Sequence, residues 1–388
     1  MTVNYPYLAD NGTEIGLADD GEGPSTFTKG VTADERAAAL ALLHSAPAIS
    51  LHEHPTRLPD PLEAEPWAWY RGAGRAYHGF DGIRASGNSA FFVNAWSFAS
   101  AESVVKFLGR ARADIAHQEG VFAAETVSDL GRTVGAGGDE VALYLSLESA
   151  TAFADQLDAF EMLYGFGIRM AGLCYNDGNA FGMGLAAEDN DEGLTAHGRD
   201  FVRLAGALGL IVDLGHVGDN TSLDTIDASE KPVVISHAGA RKLWNTWRMK
   251  SDTVLKALAE KGGVLGISAA PNTTRTSDHP DHSIQSIIDH INYAVDLMGI
   301  DHVGLGPDTF FGDHAGIHRL GRGDAAWSSN HSGRNIGELS PFVDGVENPR
   351  ENFINIAVIL QRDGWDNKDI LKVLGGNACR VMTEVFEG

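Results

Sequence analysis

The amino-acid sequence predicts a closed (β/α)8 barrel of the TIM type, and three features of the chain support that fold class. Eight short apolar runs are each bounded by turn residues, and segments with apolar residues at helical spacing separate most of them. The runs are continuously apolar, which is typical of parallel strands buried on both faces. Eight strand–helix units suffice to close a barrel, and an open doubly wound sheet is the competing fold.

The strands and helices can be placed along the chain from these patterns. Helices are expected over residues 32–44 and after Thr195 and Ser283, and the latter two end at Gly209 and Gly299 because glycine commonly terminates helices. The predicted strands cover residues 47–51, 90–93, 141–147, 170–173, 210–214, 232–235, 263–267 and 302–305.

The organisation outside the barrel is less regular. Residues 1–30 lack a sustained period and are expected to form an irregular arm, which leaves a single domain with C-terminal helices over residues 31–388. The stretch 309–344 is rich in Gly, His, Asp and Ser and is predicted as a long loop after the eighth strand. Loops of this length are usually functional or disordered.

Charge and composition limit which binding partners and which cellular compartment are expected for this protein. With 29 basic and 53 acidic residues the formal net charge is −24, which repels phosphate backbones and anionic membranes, so nucleic acid and membranes are not expected as partners. Cys174 and Cys379 form neither a disulfide framework nor a CxxC metal knuckle. The start lacks the basic and apolar regions of a signal peptide, and we expect a cytoplasmic protein.

Side chains that can bind metals follow five of the predicted strands. Active sites of barrels lie at the carboxyl ends of the strands, so these side chains are expected to meet there. His52 and His54 are two residues apart, which places both on one side of an extended backbone where they could bind one cation. Taken singly, each residue could be a packed histidine, a helix N-terminal acid or a turn residue, but together they favour a metal site. The set is His52, His54, Glu148, His216, His237 and Asp308.

The carboxylates of this set have expected catalytic roles. Glu148 is predicted to bridge two cations that hold a hydroxide, which is a nucleophile at neutral pH because the metals lower the pKa of bound water. Asp308 is expected to orient that hydroxide and pass its proton to the leaving amine. The sequence therefore predicts a metal-dependent hydrolase that cleaves an amide bond.

Further motifs, in their order and spacing, resemble the renal or membrane dipeptidase family of metallopeptidases, within the amidohydrolase superfamily. The similarity extends over roughly residues 44–384. It rests on the segment from Glu148 through Arg169 to Asn176, the run Asp213-Leu214-Gly215-His216, the run from Pro232 to Ala238, Arg248 followed by Asp252, the end of the last strand at Asp308, and the tail with Asp344, Gly345, Glu347, Asn348, Pro349, Gly375, Gly376, Asn377 and Arg380.

The resemblance implies a zinc-dependent dipeptidase with two Zn²⁺ ions. One ion would be bound by His52 and the residue at position 54, the second by His216 and His237, with Glu148 bridging them. Arg248 would bind the carboxylate of a small or dipeptide substrate, because an arginine can do so bidentately; a surface cation near two tryptophans is the alternative. Family members are often dimers, which implies a possible homodimer.

Two positions depart from the family pattern. The family's first motif reads His-x-Asp, whereas this chain has His54, which makes the site one charge more positive. After the fourth strand the family has a substrate-binding histidine, and this chain has Tyr175 followed by Asn176. We predict that both bind substrate and that the phenol of Tyr175 can donate a hydrogen bond to an oxyanion.

Alternative functions remain open at this point. A cyclic amide hydrolase, a decarboxylase or a lyase could use the same dinuclear barrel, and a non-catalytic ligand-binding relic is the third hypothesis. His314 and His318, four residues apart, would share one face of a helical turn beside Asp313. A solvated loop is the favoured interpretation there, and a lid over the substrate is the functional one.

Overall fold

Eight parallel strands close into a barrel, and a ninth strand pairs on its outside. The computed structural model describes residues 15–20, 30–73, 75–95, 100–135, 140–322 and 340–388. The strands are β1 (Ile49–Glu53), β2 (Ala90–Ala95), β3 (Val121–Ala123), β4 (Val141–Leu147), β5 (Ile168–Gly172), β6 (Ile211–Asp213), β7 (Val234–Ala238), β8 (Val264–Ile267) and β9 (Val303–Leu305). Neighbours follow the order β2-β1-β9-β8-β7-β6-β5-β4, and a parallel β2–β4 pairing closes the ring. The predicted TIM barrel is confirmed, and the open doubly wound alternative is wrong.

The eight predicted strands are the eight strands of the barrel, and β3 is the one that the sequence pattern missed. β3 pairs with the first half of β4, from Val141 to Leu143, while β5 pairs with the second half, from Leu145 to Leu147. Of its three residues only Val121 is fully buried, so β3 carries no apolar run that a sequence pattern could detect.

Helices surround the barrel and begin where the caps predict. Thr32 forms a capping box with Glu35 at the start of the first helix, and Gly209 ends the helix that follows Thr195, in the left-handed conformation with a φ of 75°. The helices are α1 (Ala33–Leu43), α2 (Ala64–Ala73), α3 (Phe80–Ala85), α4 (Ala101–Ala116), α5 (Ala159–Gly165), α6 (Ala196–Leu208), α7 (Asp219–Ala228), α8 (Asp252–Glu260), α9 (Ile284–Met298), α10 (His314–Arg322), α11 (Asn352–Arg362), α12 (Asn367–Leu371) and α13 (Asn377–Phe386).

The last helix closes one end of the barrel. Val381, Met382 and Val385 of α13 pack with buried residues from the beginnings of the strands, among them Ile49 and Ile211. This contact fills the amino-terminal end of the barrel with apolar side chains and leaves the carboxyl end for a site. Among the described helices, none combines the length and the apolar character that crossing a bilayer would need.

The long stretch after the eighth barrel strand is only partly irregular. Residues 314–322 form α10, so the favoured interpretation of a solvated loop around His314 and His318 is wrong for this segment. Residues 323–339 lie outside the described part of the chain, as do 1–14 and 21–29 of the predicted arm. The arm, the domain boundary at residue 30 and the lid therefore stay predictions.

Candidate active site

The structure brings the six predicted side chains together at the carboxyl end of the barrel. They come from five strands: His52 and His237 lie within β1 and β7, and His54 and Glu148 directly follow β1 and β4. His216 and Asp308 each lie three residues beyond the last residue of β6 and β9. All six are at most 8% exposed, so the cluster lies in a dehydrated pocket where charges interact strongly.

The first half of the cluster consists of His52, His54 and Asp308. The Nε2 atoms of the two histidines are 3.2 Å apart, because residues two apart on a strand point to the same side. Oδ1 of Asp308 lies 3.5 Å from each of these nitrogens.

The backbone of Asp308 contributes to this placement. Its φ of 60° is left-handed, a conformation that costs a non-glycine residue about 1–3 kcal/mol and that often marks a functional site. The Asp308 N–H donates to the carbonyl of His52 at 3.1 Å, which fixes the turn against β1.

The second half consists of His216 and His237, and Glu148 lies between the halves. The Nε2 atoms of His216 and His237 are 3.0 Å apart. Oε1 of Glu148 lies 3.1 Å from His216 Nε2 and 3.9 Å from His237 Nε2, whereas Oε2 lies 3.7 Å from His54 Nε2. Each carboxylate oxygen of Glu148 therefore faces one histidine pair, which is the arrangement of a bridging ligand.

The titratable groups of the buried cluster cannot all be charged at the same time, and their pKa values are shifted accordingly. Burial raises the pKa of Glu148 to about 7. Burial, reinforced by His52, lowers the pKa values of His54 and His237 well below the ordinary value, so both imidazoles are neutral, the form that binds metals. Burial is also the largest single influence on His52 and Asp308 and opposes their charges, but their hydrogen bond and the attraction to nearby charged groups together outweigh it, which raises the pKa of His52 and lowers that of Asp308.

The donor set fits divalent cations. Two facing Nε2 atoms can share only one hydrogen between them, whereas a cation accepts a lone pair from each. Among the described residues, three groups of side chains offer ligand atoms within 4.8 Å of one another. Two of these groups are His52, His54 and Glu148, and Glu148, His216 and His237. Nitrogen and carboxylate ligands of this kind are those of zinc and related metals.

Polar partners behind the histidines fix the ring orientations. Asn176 Oδ1 accepts a hydrogen bond from Nδ1 of His216 at 2.6 Å, and the side-chain amide of Asn94 lies 2.9 Å from Nδ1 of His52. The hydrogen bond to Asn176 holds a proton of His216 on Nδ1, which leaves Nε2 for a metal and raises the basicity of this ligand. The sequence analysis missed Asn94, although it lies near the end of a predicted strand for which no site residue had been assigned.

His237 has a longer chain of partners. Ser236 Oγ lies 2.6 Å from Nδ1 of His237 and donates to Oδ2 of Asp213 at 2.7 Å. Oδ1 of Asp213 accepts from the backbone N–H groups of Ser236 and Gly215 at 2.7 and 3.0 Å. Ser236 and Asp213 both lie in motifs quoted above, so the sequence contained a signal for each of them. They meet only because β6 and β7 are neighbours in the barrel.

The predicted substrate-binding residues surround the second histidine pair. The ring of Tyr175 stacks on that of His216 with centroids 4.1 Å apart. Arg248 is 2% exposed, so it is not a surface cation, and its Nη1 donates to the carbonyl of Gly215 at 3.0 Å. Burial lowers the pKa of Arg248, and the charges of Asp308 and Glu148 oppose that shift. The hydrogen bond to Gly215, the residue before His216, places the guanidinium beside the cluster. A direct contact of Asn176 with substrate stays a prediction, since its Oδ1 is directed at His216.

The chain is similar in sequence to known proteins of one family. A profile of the membrane dipeptidase family, peptidase family M19, matches residues 103–324. Dipeptidase tcpJ of Claviceps purpurea is 27% identical over 242 residues, which are 62% of this chain and 50% of that protein, so the chain spans about half the length of that relative.

Two solved structures share the fold. An amidohydrolase from Pseudomonas aeruginosa superposes with a TM-score of 0.73 at 23% identity over 90% of this chain and 99% of that one. A metallo peptidase from Rhodobacter sphaeroides, liganded with a phosphinate mimic of the dipeptide L-Ala-D-Ala, superposes with a TM-score of 0.67 at 19% identity, over 88% of this chain and 99% of that one. The family profile covers more than half of the chain, so the chain belongs to the membrane dipeptidase family, as its motifs predicted.

Proposed function

We propose that this protein is a metal-dependent dipeptidase that hydrolyses the amide bond of a small substrate with a free carboxylate. The observation that carries the proposal is the position of Glu148 between two histidine pairs, with the buried cation of Arg248 beside them. Membership of the family supports metal dependence and peptide substrates. The dipeptidase relative from Claviceps purpurea supports the same activity over the region that aligns.

We assign two Zn²⁺ ions to the cluster. His52 and His54, beside Asp308, would hold one ion. His216 and His237 would hold the other, and Glu148 would bridge the two. Four imidazoles and carboxylate oxygen suit zinc, and the pair at 52 and 54 retains the chelating geometry although an imidazole replaces the usual carboxylate. When bound, such ions supply a Lewis acid for the carbonyl and lower the pKa of water to near 7.

The residues of the chain have separate tasks in this reaction. Arg248 binds the substrate carboxylate, which sets the distance from the substrate's carboxyl end to the scissile bond. Asp308, whose carboxylate is held in the ionised form, accepts the proton of the attacking water and returns it to the leaving amine. The phenol of Tyr175, beside His216, donates a hydrogen bond to the carbonyl oxygen as negative charge develops there.

Metal content and substrate chemistry test the proposal together. Enzyme stripped by a chelator should lose turnover of a mixed dipeptide library and recover it on addition of Zn²⁺. Dipeptides whose carboxylate is replaced by an amide should react on the order of a hundredfold more slowly, because a charged hydrogen-bonded contact contributes about 1.5–3 kcal/mol. Full activity after complete metal removal would refute the proposal.

A second candidate is hydrolysis of a cyclic amide, or a decarboxylase or lyase reaction, at the same metals. His54 and Tyr175 favour it because they depart from the family pattern at positions that touch the cluster. A dipeptide library that stays intact while a cyclic amide is opened would support this candidate. Failure to retain any metal would instead indicate the non-catalytic relic. Homodimerisation and a cytoplasmic location stay predictions.

A further inference from the structure

A third pair of histidines lies outside the cluster, on α10. His314 and His318 are one helical turn apart, and their Nε2 atoms are 3.2 Å from each other. His314 is 5% exposed and His318 is half-buried, so one edge of the pair faces solvent. Their rings are nearly parallel, with centroids 5.1 Å apart.

The geometry of this pair matches that of the two pairs in the active site. Those pairs have Nε2 separations of 3.2 and 3.0 Å, and the pair on α10 has 3.2 Å. With zinc–nitrogen bonds of about 2.0–2.1 Å, nitrogens at that separation subtend about 100–106° at a shared ion, close to the tetrahedral angle. Histidines four apart on a helix are an established zinc-chelating arrangement, because both rings leave the same face.

The pair is distinct from the dinuclear cluster but close to it. The ring of Phe310 stacks on His54 with centroids 4.6 Å apart, and it meets His314 edge-on at 4.7 Å. His314 also forms a hydrogen bond with the backbone of Asp308, and charge on His314 or His318 acts on His54, so the pair adjoins the cluster while its own two nitrogens face each other. Because α10 follows β9, the pair lies at the carboxyl end of the barrel, beside the active site.

The carboxylate that precedes the pair in the sequence already has other partners. Asp313 is engaged in capping α10, since Oδ1 accepts from the Gly316 N–H at 2.7 Å and Oδ2 pairs with Arg319 at 3.1 Å. Within the described ranges, no group of three potential ligands includes His314 or His318. An ion on this pair would keep positions for water or for a carboxylate, as open zinc sites do.

We propose that His314 and His318 form a third divalent-metal site, selective for imidazole-binding ions such as Zn²⁺, Cu²⁺ and Ni²⁺, at the entrance of the barrel. Because the described part of the chain supplies two ligands to this site, it binds more weakly than the dinuclear cluster and fills only at higher free metal. This assignment goes beyond the proposed hydrolysis and does not depend on it, because the site is defined by binding alone.

The test is equilibrium dialysis of the purified holoenzyme against increasing free Zn²⁺, with metal measured by mass spectrometry. The wild type should bind one zinc more than the variant His318→Ala. That variant should keep the metal of the dinuclear cluster and its basal activity, which also shows that it is folded. His117→Ala is the matched control, because His117 is an exposed histidine at the end of α4 whose Nδ1 contacts the Ala113 carbonyl. It should bind as much zinc as the wild type.

Equal zinc binding by the wild type and His318→Ala up to about a hundredfold excess over protein would overturn the proposal. The contact between the two rings would then be only an N–H···N hydrogen bond between neutral imidazoles. Loss of the additional zinc in His117→Ala rather than His318→Ala would overturn it as well. A Cu²⁺ spectrum with two nitrogen ligands, present in the wild type and absent in His318→Ala, would support the assignment independently. Absence of dipeptide turnover in the wild type, by contrast, would contradict the proposed function and leave the zinc comparison between the wild type and His318→Ala valid.

Discussion

The link from Asp213 through Ser236 to His237 allows a sharp test of how the barrel supports its candidate metal ligands. The variant Ser236→Ala removes one oxygen atom and leaves every candidate ligand in place. That oxygen lies 2.6 Å from His237 Nδ1 and 2.7 Å from Asp213 Oδ2, and it is fully buried. No water from bulk solvent can replace it without a rearrangement of the strand ends.

The expected effect has two parts. Asp213 Oδ2 loses its donor in a buried position, which costs about 1–3 kcal/mol in the free energy of unfolding. His237 loses the acceptor that orients its ring, and the loss of such a partner typically costs about 10–100-fold in metal affinity or activity. The protein should still fold, because Oδ1 of Asp213 keeps its two backbone hydrogen bonds, at 2.7 and 3.0 Å.

Competition with a chelator measures this effect directly. The metal retained by the wild type and by Ser236→Ala is compared as chelator is added, together with kcat/KM for a dipeptide. Ser268→Ala is the matched control, because Ser268 is equally buried just beyond β8 and its Oγ accepts a hydrogen bond from the backbone N–H of Ala270 at 3.1 Å. If both variants retain metal as well as the wild type, the inferred role of Ser236 is wrong.

Three further predictions concern other parts of the site and the fold. Gly172→Ala would place a Cβ 2.0 Å from the carbonyl oxygen of Glu148, so we expect a loss of about 1–3 kcal/mol in unfolding free energy and less retained metal, measured by urea titration and metal analysis. Arg248→Lys should lower kcat/KM for dipeptides on the order of ten- to a hundredfold, since lysine keeps the charge but cannot bind a carboxylate bidentately. Burial lowers the pKa of His290 from 6.5 to about 4, so its contribution to stability is present above pH 6.5 and is lost as the pH falls toward 4, at about 1.4 kcal/mol per pH unit in urea titrations.

Each of these predictions has an outcome that contradicts it. For Gly172→Ala it is wild-type stability with unchanged metal content. For Arg248→Lys it is an equal loss of activity on dipeptides and on dipeptide amides, which would place the guanidinium away from the carboxylate. For His290, the contradicting result is that the variant His290→Gln loses stability between pH 6.5 and 4 as steeply as the wild type does.

Much of the barrel could be predicted from the sequence because its signals are local. A strand buried on both faces is continuously apolar whatever its neighbours are, and a residue at its carboxyl end is identified by counting along the chain. His52, His54, Glu148 and Asp308 were found in this way. β3 was missed because it has three residues and one fully buried side chain, and α10 because its apolar period is short within a stretch rich in glycine and histidine.

The sequence by itself determined the class of fold, the family and which residues are candidate ligands, because periodicity, spacing and motif order are properties of the chain alone. Only the tertiary structure decided which oxygen of Glu148 faces which histidine pair and that Ser236 joins Asp213 to His237. It also brought the nitrogens of His314 and His318 to 3.2 Å behind the ring of Phe310. These relations depend on the closure of the ring of strands, which brings residues far apart in the sequence within a few ångströms, and no local pattern encodes that distance.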